Sequence, residues 1–108
     1  MSSIIEASRI FLPVESIAYA DGSVVSKTII KKPIGNITLF AFDKGEGLAE
    51  HSSPHEALVQ LLDGKAEITI GGTPYYLQTG QCIILPANIH HSLKANEKFK
   101  MMLTMIKS

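Results

Sequence analysis

Short runs of β-branched and aliphatic residues, separated by turn-forming glycine, proline and aspartate, are the feature that most constrains how this sequence can fold. The turn signals recur about every 8 to 12 residues, and helical periodicity is nearly absent. Such a pattern is typical of a small all-β sandwich or barrel. A chain of 108 residues is long enough for one hydrophobic core, so we expect residues 1–108 to form a single domain.

The predicted strands follow from these runs and from the turns between them. They cover residues 23–30, 37–42, 57–62, 65–70, 73–77, 81–85 and 99–106. Pro86 ends the sixth of these strands, because proline lacks the backbone donor that a strand ladder needs. Residues 4–11 carry the one weakly helical pattern and are predicted to form a short helix.

The Asp63–Gly64 pair is the strongest local signal in the chain. An Asp-Gly pair between two apolar runs favours a tight hairpin with positive φ at both positions. We therefore predict a hairpin between residues 57–62 and 65–70. In the second run Ala66, Ile68 and Ile70 alternate with polar residues, so one face meets a core and the other meets water.

The composition indicates which classes of partner the protein can have. Lys plus Arg and Asp plus Glu both total 10, so no net field attracts nucleic acid or an anionic membrane. Hydrophobic residues make up 45% of the chain, and residues 57–62 and 99–106 are apolar on both faces. We therefore expect a homodimer in which a sheet face packs on its twin, joined by an N-terminal extension of residues 1–22.

The sequence also predicts where the protein resides and the role of its one cysteine. The N-terminus has no basic region followed by an apolar stretch, and no apolar run approaches the length of a membrane helix. We expect a soluble, cytoplasmic protein with no membrane partner. Cys82, the only cysteine, lies in a predicted core strand and is interpreted as a buried hydrophobic residue.

Two groups of residues resemble the two signature motifs of the cupin superfamily. Gly45, His51 and Gly64 match the first motif, and Gly80, Pro86 and His91 match the second. Asn88 stands where the second motif usually has glycine, and asparagine tolerates a left-handed backbone. The resemblance implies a double-stranded β-helix, a jelly-roll barrel, with a divalent metal in its lumen on three histidines and one carboxylate or amide.

The sequence departs from the cupin ligand set at two positions. Ser53 replaces the second histidine of the first motif, and Ala57 replaces its Glu or Gln. Only His51 and His91 remain, and two ligands would hold a divalent ion with a dissociation constant of roughly 1 to 100 µM. A metal such as Zn, Ni, Fe or Mn is therefore expected to be weakly bound or absent.

His55 is the candidate third ligand. A fully extended strand from residue 51 to residue 57 would be far too long for its side chains to share one ion, so the chain must bend near Pro54. The direction of His55 then cannot be read from alternation: it either enters the lumen or lies on a solvated loop. His90 and His91 point oppositely on a strand, and the motif register selects His91.

Two functional hypotheses follow from this reduced set. The first is a small-molecule-binding barrel without strong catalysis, with His51, His55 and His91 at the mouth and Val59, Leu61, Ile68 and Ile84 lining the lumen. The alternative is a metal-dependent enzyme of isomerase or dioxygenase type, in which His51, His55 and His91 hold the ion. A third possibility, a purely structural module, would lack a lumen. The metal content of the purified protein distinguishes the binding barrel from the metal-dependent enzyme.

Overall fold

The computed structural model describes residues 5–107 and confirms the all-β prediction. After a 3-10 turn at Pro13–Glu15, these residues form eight strands. The strands are β1 Val24–Lys32, β2 Gly35–Phe42, β3 Gly47–His51, β4 Glu56–Ile70, β5 Thr73–Gln78, β6 Cys82–Leu85, β7 His91–Lys94 and β8 Phe99–Ile106. No helix among the described residues is long and apolar enough to span a membrane.

All strand pairs are antiparallel, and they form two sheets that share β4. The first sheet runs β1, β2, β8, β4 and β6, and the second contains β3, β7, β4 and β5. The first half of β4 pairs with β8 and β6, and its second half pairs with β5 and β7. One strand that changes sheets in this way curls the structure into a barrel.

The predicted hairpin at Asp63–Gly64 is wrong, because β4 continues through both residues as one strand. The register against β8 shifts between Leu61 and Asp63, and Gly64 has a φ of 79°. This is a β-bulge, which inserts one extra residue and bends the strand. The inward positions accordingly change from odd numbers, ending at Leu61, to even numbers, beginning at Ala66. Asp63 itself does not have positive φ.

The main core fills the space between the two sheets. Phe42 and Phe99 stack with ring centroids 4.5 Å apart, and both are fully buried. Val59, Leu61, Ile68 and further aliphatic side chains pack around them. Every strand contributes inward-facing side chains to this core, so the barrel is tightly packed around Phe42 and Phe99.

A second, smaller cluster lies on the outer face of the first sheet, under the chain's own N-terminal segment. Ile17 packs there against Leu39 and Ala41. Lys27 Nζ donates to the carbonyl of Ser16 at 2.8 Å, and Lys100 Nζ donates to that of Val14 at 2.7 Å. Residues 13–20 are thus fastened to the barrel that they belong to.

Two further predictions are corrected. Residues 5–11 form no helix, and Ser8 has a φ of 65°, which a right-handed helix cannot include; Ile4 lies outside the described residues. Cys82 is exposed, because it pairs with Gln60 on the outer face of β6 while Ile83 and Leu85 point inward. The strands β3 and β7 were not predicted. Both are short, and they carry polar residues at several positions.

Candidate functional site

Pairing between β3 and β7 places His51 directly opposite His91. Their ring centroids lie 4.4 Å apart with the ring planes at 67°. On its other side β7 pairs with β4, where His91 is opposite Ile70. His91 is only 8% exposed, whereas His51 lies at the open end of the barrel. His90 is exposed, and its carbonyl accepts a hydrogen bond from Gly71 N–H at 2.8 Å.

Both imidazoles contact a backbone carbonyl two residues earlier in the chain. His51 Nδ1 lies 2.9 Å from the carbonyl oxygen of Ala49, and His91 Nδ1 lies 3.4 Å from that of Ile89. Burial lowers the pKa of His91 below its ordinary value, and the positive charge that His51 can carry lowers this pKa further. His91 is therefore held toward its neutral form.

The predicted bend between β3 and β4 is present. β3 ends at His51, residues 52–55 leave the strand, and β4 begins at Glu56. Ser53 Oγ accepts a hydrogen bond from His55 N–H at 3.1 Å, and the Ser53 carbonyl accepts one from Asn88 N–H at 2.7 Å. Asn88 has a φ of 65°, as expected for the residue that replaces glycine. This bend brings His55 to the same cavity as His51 and His91.

A cavity of about 60 Å³ opens beside these side chains. Its polar lining comes from three imidazoles and one hydroxyl, and the rest is apolar. The lining residues are Leu48, His51, Ser53, His55, Ala57, Leu85, His91, Leu93, Met101, Leu103 and Met105. Among the residues that the structure describes, no Asp, Glu, Lys or Arg side chain lines it.

The four apolar residues predicted to line the lumen do not line this cavity. Val59, Leu61 and Ile68 point inward, but they belong to the packed core rather than to the cavity wall. The prediction for Ile84 is wrong: it is 56% exposed on the outer face of β6.

The cavity wall comes largely from residues that the sequence does not single out. Met101, Leu103 and Met105 of β8 provide one side, and Leu48, Leu85 and Leu93 provide others. The signal for β8 was weak, because residues 99–106 are apolar at both odd and even positions.

The residues at this cavity do not fit a tightly held metal ion, although the resemblance implies one. The Ala57 methyl group cannot coordinate, and a serine hydroxyl such as that of Ser53 is a poor ligand for the expected metals. Within residues 5–107, no three side chains of His, Cys, Asp or Glu are grouped closely enough to hold an ion. The imidazoles of His51 and His91 are the two candidate donors that strand pairing brings together.

Comparisons with known proteins agree with this barrel. The chain is 36% identical to a conserved protein of unknown function from Streptococcus pyogenes, with a TM-score of 0.91 over 96% of this chain and 91% of that one. It is 39% identical to a cupin 2 conserved barrel domain protein from Leptotrichia buccalis, with a TM-score of 0.84 over 87% of this chain and 46% of that one. A cupin superfamily protein from Desulfitobacterium hafniense is 23% identical and shares the fold, with a TM-score of 0.90 over 96% of this chain and 95% of that one.

A search of curated proteins finds no match. The cupin domain family model matches residues 38–107, which include β3, β4 and β7 and every residue of the cavity lining. With both motif histidines paired across β3 and β7 inside this matched region, the chain belongs to the cupin family.

Proposed function

We propose that this protein binds a small organic molecule in the cavity beside His51, His55 and His91, without strong catalysis. The observation that carries the proposal is the composition of the cavity lining. Three imidazoles and the Ser53 hydroxyl are its polar groups, and aliphatic and methionine side chains form the rest of the wall. Ligand sites typically combine an apolar wall with a few polar groups that fix orientation.

The size of the cavity limits the ligand. About 60 Å³ exceeds the roughly 10 to 15 Å³ that one water molecule needs, but pockets for drug-sized molecules begin at roughly 300 Å³. The ligand is therefore a molecule of a few heavy atoms. Met101 and Met105 can change rotamer at low cost, so the apolar end can enlarge for a somewhat longer molecule.

The alternative, a metal-dependent enzyme of isomerase or dioxygenase type, is favoured by one observation. His55 lines the same cavity as His51 and His91, so three imidazoles are available in one region. The replacement of the other motif ligands by Ser53 and Ala57 argues against it. We therefore keep it as the second candidate, with a weakly bound or absent divalent ion as the expectation.

Elemental analysis of protein purified without an affinity tag decides between the two candidates. Binding without strong catalysis requires less than one tenth of an equivalent of Zn, Ni, Fe or Mn per chain after dialysis. A stoichiometric metal that survives dialysis would instead support the enzyme. A fragment screen by NMR on the same sample, monitoring the methyl groups of Met101 and Met105, would show whether small molecules enter the cavity.

We also propose that the protein forms a homodimer through an apolar row on the outer face of the first sheet. Strand pairing aligns five residues across this sheet. In order they are Ile84, Leu58, Thr104, Ile37 and Ile30, with Ile34 and Ile106 beside them, and we call this set the isoleucine face. Ile84 is 56% exposed and Ile106 is 55% exposed. A surface of this kind commonly packs against a second copy related by twofold symmetry.

The covered and uncovered parts of this sheet support that choice of surface. Outer-face residues near Leu39 are covered by Ile17 of the same chain, whereas Ile34, Ile84 and Ile106 of the isoleucine face are 73%, 56% and 55% exposed. The N-terminal extension has apolar residues of its own that lie free, since Ile10 is fully exposed and Leu12 is 57% exposed. Residues 5–12 are accordingly proposed to extend the dimer interface.

A further inference from the structure

We propose that the cavity selects an uncharged ligand with a hydroxyl group that donates a hydrogen bond to the Nε2 atom of either His51 or His91. This inference rests on the proposed function and names the chemical class of its ligand. It follows from the carbonyl contacts of the two imidazoles, and from the charge and the size of the cavity.

The two carbonyl contacts favour one tautomer of each imidazole, more strongly in His51 at 2.9 Å than in His91 at 3.4 Å. A carbonyl oxygen can only accept a hydrogen bond, so an Nδ1 atom in contact with one must carry the hydrogen. His51 Nδ1 has such a contact with Ala49, and His91 Nδ1 has one with Ile89. In the neutral state of each ring, Nε2 is then an unprotonated acceptor.

Both acceptors are available to a ligand. Neither Nε2 atom takes part in a hydrogen bond among the described residues. His51 is an exposed residue, and the unpaired Nε2 atom of His91 is not fully buried, because no side-chain nitrogen or oxygen of a non-exposed residue in that part of the chain is both fully buried and unpaired. With the ring centroids 4.4 Å apart, one donor group at the mouth can approach either ring.

The Ser53 hydroxyl completes the polar end. Its oxygen accepts from the N–H of His55, and within residues 5–107 its own hydrogen is donated to no other group. A ligand hydroxyl can therefore donate to an imidazole Nε2 and accept from Ser53. A ketone of the same shape can only accept, and it would leave both Nε2 atoms desolvated without a donor.

Charged ligands are disfavoured in this cavity. A primary ammonium could donate to both Nε2 atoms, but among the described residues no carboxylate lines the cavity to balance its charge. A carboxylate ligand would place its lone pairs against the imidazole lone pairs. The apolar wall of Leu103, Met101 and Met105 disfavours both ions, because a buried charge without a partner is costly.

The test is a matched set of small probes at pH 8. Butan-2-ol, butan-2-one and the ammonium ion of butan-2-amine share one carbon skeleton. Each is titrated into the protein while the methyl resonances of Met101 and Met105 are followed by NMR. We expect the alcohol to bind at least about tenfold more tightly than the ketone or the ammonium ion.

The imidazole nitrogens give a readout that does not depend on binding. Long-range ¹H–¹⁵N spectra of the ligand-free protein at pH 8 should show Nδ1 protonated and Nε2 unprotonated in both His51 and His91. The opposite tautomer in both rings would overturn the inference. So would a ketone that binds as tightly as the alcohol, although the proposed small-molecule function would survive that result.

Two variants and one control separate the polar contact from general packing. His51→Leu and His91→Leu should each reduce the preference for the alcohol over the ketone to less than about threefold. His90→Leu changes an exposed histidine outside the cavity and should leave the preference unchanged. If none of the three probes moves the methionine resonances, and a wider fragment screen does not either, both this inference and the proposed function fail.

Discussion

Tyr19 donates a hydrogen bond from its hydroxyl to Asp63 Oδ2 at 2.6 Å, and so joins the N-terminal segment to the bulge of β4. Burial raises the pKa of Tyr19 above its ordinary value, and the hydrogen bond and the charge of Asp63 raise this pKa further. Lys98 and Lys100 place their ammonium groups 4.7 Å and 5.1 Å from the centroid of the same ring. One aromatic side chain thus connects the segment, the bulge and the start of β8.

Tyr19→Phe should lower the free energy of unfolding by about 1 to 2 kcal/mol, because the Asp63 carboxylate loses a partly buried donor. Urea denaturation followed by circular dichroism measures the change. Tyr76→Phe is the matched control, since Tyr76 is 68% exposed. Equal stability of the two variants would mean that the Tyr19–Asp63 contact contributes nothing.

Gly64→Ala should destabilise the protein by more than about 2 kcal/mol. Its φ of 79° is unfavourable for alanine, and a Cβ at this position would overlap the carbonyl oxygen of Lys98. Gly72→Ala is the control, because Gly72 also has positive φ, at 85°, but its Cβ would meet nothing within 4 Å. Thermal or urea denaturation should show the larger loss for Gly64→Ala. A larger loss for Gly72→Ala would contradict the role assigned to the bulge.

The stability of the protein should fall as the pH drops below about 6.5, partly through His91. The pKa of His91 is lowered in the folded state, so the unfolded chain binds more protons in this range and gains stability. The contribution of His91 is fully present above the unfolded pKa and is lost as the pH falls toward the folded pKa. One such group changes the free energy of unfolding by at most about 1.4 kcal/mol per pH unit.

Urea denaturation at pH 7.5, 6.5 and 5.5 measures this dependence. His91→Leu should show a shallower slope than the wild type between the two lower values, and His90→Leu should keep the wild-type slope. An unchanged slope in His91→Leu would remove His91 as the cause.

Zinc titrated into tag-free protein should bind with a dissociation constant in the micromolar range or weaker, since His51 and His91 are the donors in place. His55→Ala should change this affinity by less than about threefold. Isothermal titration calorimetry at pH 7.5 measures both proteins. Nanomolar affinity that disappears in His55→Ala would favour the metal-dependent enzyme instead.

Light scattering should give twice the chain mass of 11.7 kDa at micromolar concentration if the isoleucine face forms a dimer. Ile84→Lys and Ile106→Lys place a charge in this face and should weaken association by about 30-fold or more. Ile89→Lys is the control, because Ile89 is 41% exposed but lies outside the face. A wild-type mass of one chain would remove the proposal.

The sequence predicted the strands with clear turn signals well. Residues 99–106 match β8, and the breaks predicted after residues 70 and 77 separate β4, β5 and β6 as expected. Asp63–Gly64 predicts a hairpin wrongly because a hairpin turn and a β-bulge both use a glycine with positive φ. The two differ in which strand pairs with β4, and the local sequence of β4 does not show that its partner is β8.

The candidate site was likewise predictable from the sequence only in part. Motif spacing was enough to select His51 and His91, and the structure brings them together through strand register. The wall of the cavity required the inward parity of β6 and β8. In both strands apolar residues are adjacent in sequence, so the pattern does not show that Ile84 points outward or that Met105 points inward. Metal content, dimerisation and a cytoplasmic location stay predictions.

The continuity of β4 has a consequence for how the chain reaches this structure. A local hairpin at Asp63–Gly64 would have offered an early nucleus, whereas β4 finds partners as distant as residue 106. Loops between such distant segments must close before their contacts stabilise anything, and chains dominated by non-local pairing fold on timescales of milliseconds to seconds. We expect slow folding for so small a protein, with the assembly of β8 on β4 as the step that limits the rate.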